Sequence, residues 1–170
     1  MFSTIKRQVL VLGLVLTGVA IPALAREDGR EATEFQLPLV QGEAVHSLHA
    51  LRGKVVLVDF WASWCGPCVK SMPVYQALYS LYQPRGFEIL ALSVDEDVQD
   101  AKDFLRRHPV TFPVLYDAEG KIAAAYKVPG MPTSYLVDRT GKIVSIHTGF
   151  NQAIKVQLER ELAELIGGEK

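Results

Sequence analysis

Continuous apolar runs of strand length alternate along this chain with stretches in which apolar residues recur every three or four positions. Residues 55–60 are apolar and β-branched apart from Asp59, and read as a buried central strand. From Pro67 the period becomes helical. Residues 68–82 place Val69, Met72, Tyr75, Ala77, Leu78 and Leu81 on one face, with Pro73 inside to kink the helix. Gln83 to Gly86 ends that helix, and residues 87–94 form the next strand. Residues 95–108 predict an amphipathic helix, acidic at Asp95, Glu96 and Asp97 and basic at Arg106 and Arg107, as the helix dipole favours. A short strand in 110–117 and a short helix in 118–126 follow. Two β-rich runs, 133–137 and 142–147, flank a hairpin turn with Gly141 available for positive φ. Asn151 caps a last helix running through Ile166, with Ile154, Leu158, Leu162 and Leu165 on its apolar face. Ahead of the central strand, residues 35–48 predict a small hairpin turning at Gln41-Gly42-Glu43, with a further turn at 51–54. This order argues for an α/β layer structure with helices on both faces of the sheet. No repeat or low-complexity segment interrupts it.

The first 34 residues stand apart. Lys6 and Arg7 precede an apolar stretch from residue 9 to residue 21, and Ala23-Leu24-Ala25 supplies a small-residue cleavage site. Residues 1–25 therefore read as a secretory signal peptide. An uncleaved anchor is the weaker reading, because a span needs ~20 apolar residues. No cysteine precedes Cys65, which excludes lipoprotein attachment in this segment. Residues 26–34 are polar and predict a flexible mature N-terminus, leaving 35–170 as one domain. The whole chain carries 18 Lys plus Arg against 19 Asp plus Glu, so nothing in its charge points to nucleic acid.

Cys65 and Cys68 are the two cysteines of the chain. A bridge across so short a loop removes little chain entropy, so a structural disulfide is a poor reading and a redox pair a good one. Pro67 suits the first turn of a helix. Cys65 then sits at the helix mouth, where unpaired N–H groups and the dipole stabilise a thiolate, and Cys68 lies one turn inside, better shielded. Cys65 is the expected nucleophile and Cys68 the resolving thiol, which attacks a mixed disulfide formed on Cys65. Trp64, just before Cys65, offers an apolar surface to a partner, whereas Trp61 reads as core. Asp59 ends an otherwise apolar strand, where burial would raise its pKa and fit it as a base for Cys68; the plainer alternative is a partly exposed strand-end Asp capping the following turn. His46, His49, His108 and His147 share no metal-ligand spacing and read as surface or packing residues. No metal site is expected.

The segment Val58-Asp59-Phe60-Trp61-Ala62-Ser63-Trp64-Cys65-Gly66-Pro67-Cys68 resembles the active-site segment of thioredoxins. With residues 89–95, residues 112–117 and Gly130-Met131-Pro132-Thr133, the wider chain resembles the periplasmic thioredoxin-like disulfide reductases of the TlpA-like and ResA-like family. That resemblance implies a thioredoxin fold with an N-terminal β-hairpin of the AhpC/TSA type and a central βα insert. It implies a buried acid at Asp59 and a cis-proline at Pro132, with Met131 offering its backbone to a client. Gly66 and Pro67 would join Trp64 and Met131 in meeting that client. It implies no cofactor beyond the redox-active Cys65–Cys68 disulfide, protein disulfides as clients, and a membrane electron donor of DsbD-like or CcdA-like type. Members often carry a Glu three residues after the second cysteine; here Ser71 stands there, which puts proton handling on Asp59. The residues before Pro132, Lys127-Val128-Pro129-Gly130, depart from the pattern of dedicated cytochrome c maturation proteins.

The leading expectation is an exported thiol:disulfide oxidoreductase acting as a reductant, with cytochrome c or oxidase maturation among its roles. A dithiol oxidase is the alternative within the same chemistry. A Cu(I)-handling module is the alternative outside it, since two thiolates and Met131 are soft ligands. Peroxide reduction lacks its Thr-x-x-Cys motif, Ala62 standing three residues before Cys65.

Overall fold

The computed structural model describes residues 29–167; the expected signal peptide and residues 26–28 lie outside the described residues. Strands β1 (Gln36–Pro38) and β2 (Val45–Ser47) pair antiparallel as the expected hairpin. The chain continues through β3 (Val55–Trp61), α1 (Gly66–Tyr82), β4 (Phe87–Ser93), α2 (Val98–Arg107), β5 (Val114–Tyr116), α3 (Lys121–Ala125), β6 (Thr133–Val137), β7 (Ile143–Thr148) and α4 (Gln152–Gly167). The main sheet has the order β5-β4-β3-β6-β7. Strands β5, β4 and β3 are parallel, while β6 runs antiparallel to β3, and β7 to β6. Every residue of β3 and β4 is buried, which is why both lack polar alternation. The expected insert appears as β5, which lengthens the sheet at one edge, followed by α3.

Alternate residues of β3 point to opposite faces. Val55, Leu57 and Trp61 pack with α1, α2 and α4, while Val56, Val58 and Phe60 pack with α3 and the N-terminal segment. In α4 the Asn151 Oδ1 accepts the Ile154 N–H at 3.0 Å, completing the expected cap. The core of that helix is Leu158, Leu162 and Ile166, with Leu165 only half-buried.

Three expectations are corrected. Residues 29–34 are fastened, not flexible. Ala32 donates to the Gly141 carbonyl at 2.9 Å, Ile143 donates to that of Arg30 at 2.9 Å, and Ala32 is buried. Arg52 adds ion pairs to Glu31 and Glu34. In α1, Ala77 and Leu81 point to solvent, and Ser71, a polar residue outside the expected apolar face, is buried. Finally, α2 begins only at Val98, capped by Asp97, so Asp95 is outside the helix.

Candidate functional site

Strand β3 delivers the site. It leaves the sheet after Trp61, and four residues later Cys65 caps α1 in an extended conformation. Pro67 occupies the first turn, where it forfeits no helical hydrogen bond. The Cys68 N–H donates to Cys65 Sγ at 3.3 Å, so the sulfur at the helix mouth already occupies the place of a capping oxygen. The two sulfurs are joined at 2.07 Å, with Cα atoms 5.3 Å apart. Cys68 is fully buried and Cys65 nearly so.

Around the pair the surface divides sharply. Trp64 is 71% exposed, and Gly66 and Pro67 are exposed beside it. Trp61 is fully buried against Phe104, with ring centroids 4.8 Å apart, and is core as expected. Thr133 pairs with Phe60, so Pro132 follows in register at the end of β3 from which the Cys65 loop departs. The Met131–Pro132 peptide is cis, and Met131 is half-buried against the cluster that holds both cysteines. A cleft of about 600 Å³ lies elsewhere, lined by Lys54, Tyr79, Glu88 and Phe112 among others. Exchange with a protein disulfide needs an exposed rim, not a pocket, and Trp64, Gly66 and Pro67 form one.

Asp59 is not at the end of its strand. It lies within β3, opposite Ala91 on one side and Ser134 on the other, and is completely buried. Neither carboxylate oxygen has a hydrogen-bond partner among the described residues. Burial pushes its pKa well above the ordinary carboxylate range, and the nearby Tyr75 hydroxyl offsets this only in part. Tyr75, on α1, is held neutral by burial first and by the Asp59 charge second; its hydroxyl also feels Ser134 and Ser71. Ser71 donates to the Cys68 carbonyl at 3.1 Å. Ser71, Tyr75 and Asp59 are thus buried polar groups gathered beneath the Cys68 turn.

Sequence reasoning missed Asp95. Its carboxylate accepts the Ser63 N–H at 2.9 Å, the Ser63 hydroxyl at 2.7 Å and the Ser93 hydroxyl at 2.8 Å. It therefore pins the loop that presents Trp64 and Cys65. Its one sequence signal is an acid directly after an apolar strand, which reads equally well as a helix start. Sequence reasoning also treated His147 as an ordinary surface or packing histidine. It is buried, between Ser134 and Glu161.

Comparisons with known proteins agree with this geometry. The Redoxin family matches residues 27–162. The thiol-disulfide oxidoreductase ResA of Bacillus cereus is 39% identical over 137 residues, covering 81% of this chain and 78% of the relative. ResA of Geobacillus thermodenitrificans is 39% identical over 133 residues, covering 77% and 76%. Among solved structures, a Chlorobium tepidum protein described as a thiol:disulfide interchange protein DsbE superposes with a TM-score of 0.78 at 41% identity, covering 82% of this chain and 97% of the other. StoA from Bacillus subtilis gives 0.64 at 26% identity, covering 76% and 96%. A cysteine pair capping the first helix, a buried acid in the adjoining strand and these relationships lead to one assignment: the chain belongs to the Redoxin family of the thioredoxin superfamily, as a thiol-disulfide oxidoreductase of the ResA-like and TlpA-like type.

Proposed function

We propose that the protein is an exported reductant of protein disulfides. The Cys65 thiolate attacks a client disulfide, forming a Cys65–client mixed disulfide and releasing one client thiolate. Cys68 then loses its proton, through a water, to the Asp59 carboxylate. The Cys68 thiolate attacks Cys65 Sγ, the Cys65–Cys68 disulfide forms, and the second client thiolate leaves and takes a proton from solvent. Two electrons pass to the client. The observation that carries this reading is the fully buried Asp59 carboxylate, without a hydrogen-bond partner among the described residues, on the face of β3 that packs with the cluster holding Cys68. A carboxylate so placed has a raised pKa, as a base working near neutral pH requires. The exposed Trp64, with Gly66 and Pro67, would seat the client, and the Met131 backbone would pair with its extended chain. The redox unit would be the Cys65–Cys68 disulfide alone, with no added cofactor.

The signal-like residues 1–25 support action in the periplasm. A bacterial periplasm is kept oxidising by dedicated enzymes, so a reductant there needs a membrane donor of DsbD-like or CcdA-like type to restore its dithiol. Apoproteins of cytochrome c and oxidase assembly are the clients to try first.

The test is the Cys65/Cys68 reduction potential, with trapping of clients on Cys68→Ser. We expect a potential below about −220 mV and mixed disulfides through Cys65. A potential near about −120 mV would turn the protein into a dithiol oxidase with the same site.

A further inference from the structure

Asp59 belongs to a longer polar row on an otherwise apolar face of the sheet. In register, Asp59 on β3 pairs with Ser134 on β6, and Ser134 pairs with His147 on β7. Directly paired residues share a face, so three polar side chains stand side by side beneath α1 and α4. All three are buried. The Tyr75 hydroxyl, buried on α1, stands close enough to the row for the Asp59 charge and the Ser134 hydroxyl to act on it, although it makes no hydrogen bond to Asp59. Ser134 Oγ and His147 Nδ1 are 3.5 Å apart, and His147 Nε2 and Glu161 Oε2 on α4 are 3.0 Å apart. The row ends at the surface: the Glu161 side chain is 18% exposed, against 2% for His147.

We propose that Tyr75, Ser134, His147 and Glu161 form a proton path that joins buried Asp59 to solvent on α4. The proposal rests on the reading of Asp59 as the base for Cys68. As Cys68 reacts, Asp59 passes on the proton that it takes within the same turnover. The Tyr75 hydroxyl closes on Asp59 to take that proton as Tyr75 donates to Ser134, Ser134 to His147 Nδ1, His147 Nε2 to Glu161, and Glu161 to water. One proton leaves, no electrons move, and the proton taken up by the departing client thiolate balances it. An imidazole suits this position because it accepts at one nitrogen while donating at the other. Anchoring α4 does not by itself require His147. Both Glu161 oxygens already accept hydrogen bonds, Oε2 from Ser145 at 2.7 Å and Oε1 from Gln157 at 2.8 Å. Burial alone would raise the Glu161 pKa, but hydrogen bonds from His147, Gln157 and Ser145 more than offset it and hold the carboxylate ionised, ready to accept. The groups facing His147 are Ser134 from β6, Ser145 from its own strand, and Glu161 from α4, with Gln157 beyond it.

The experiment is single-turnover oxidation of the reduced full chain by a disulfide peptide, followed by tryptophan fluorescence from pH 5 to 9. His147→Gln keeps a hydrogen-bonding side chain that cannot relay a proton, and Glu161→Gln tests the surface end. We expect each to slow the Cys68 step about tenfold, less than the loss of a general base itself. Each should also alter the pH profile, with reduction potential and melting temperature unchanged. Asp59→Asn combined with His147→Gln should be no slower than Asp59→Asn alone. A wild-type rate and profile in His147→Gln, or an additive slowing in the double variant, would overturn the path while leaving Asp59 as base. A wild-type rate in Asp59→Asn would remove the base, and the path with it.

Discussion

Asp59 and Phe60 are neighbours on one strand, both completely buried, and they face opposite sides of the sheet. On the Phe60 side the polar groups around that ring are paired. Phe60 packs on Tyr126 and Tyr135 with ring centroids at 5.3 and 5.9 Å. The two tyrosine hydroxyls donate to the carbonyls of Thr33 and Tyr126 at 2.8 and 2.7 Å. On the Asp59 side both carboxylate oxygens and the Trp61 indole nitrogen are buried without hydrogen-bond partners among the described residues. A buried polar group left unpaired costs stability, on the order of 1–3 kcal/mol. One face is built to hold the fold together, and the other gives up stability where the cysteines react.

The contrast can be broken most strongly at Phe60. Phe60→Ala removes an aromatic side chain from the satisfied face and should destabilise the protein by about 3–5 kcal/mol in urea unfolding, with the thiol chemistry of the folded fraction intact. One residue earlier the sign should reverse. Asp59→Asn removes a charge that the fold buries and should stabilise by about 1–2 kcal/mol at pH 7 while slowing resolution of the mixed disulfide. The pH dependence follows from the raised pKa. The folded state keeps the Asp59 proton where the unfolded chain, with a value near ~3.9, has already released it. Wild-type stability is therefore full below that value and falls as pH climbs through the folded one, so the gain from Asn should vanish near pH 3.5 and grow upward. An equal gain at both pH values would show that charge burial is not the cause. A smaller effect is expected from Tyr126→Phe, which orphans the Thr33 carbonyl and should cost about 1 kcal/mol without altering exchange rates. Smallest in stability is Trp64→Ala, on neither face, within about 0.5 kcal/mol of wild type. Its KM for a protein client should rise severalfold, with kinetics toward a small disulfide unchanged; equal changes for both would remove Trp64 from client binding.

Much of the site was legible because its signals are local. Cys65, Pro67 and the helical period after them announce a capped helix within a few residues of sequence, and Asp59 stands out as the one charge in an apolar strand. Asp95 was not legible, because an acid after a strand also begins a helix; only its approach to Ser63 distinguishes the two. Leu81 misled for a related reason. It keeps the helical period, but it stands in the last turn of α1 with its side chain turned to solvent, 60% exposed. Residues 29–34 looked like a loose polar end, since backbone hydrogen bonds to Gly141 and Ile143 leave no trace in composition.

The sequence by itself determined the reactive pair, the strand that carries it and the helix that caps it, because propensity and periodicity act over neighbouring residues. Tertiary structure decided what stands beside Asp59. Ser134 and His147 are unremarkable in the chain, and only the register of β6 on β3 and of β7 on β6 sets them in line with Asp59 and turns them toward Glu161. A slip of one residue would send each of them to the opposite face, so that alignment is a property of strand pairing and cannot be read from any one segment.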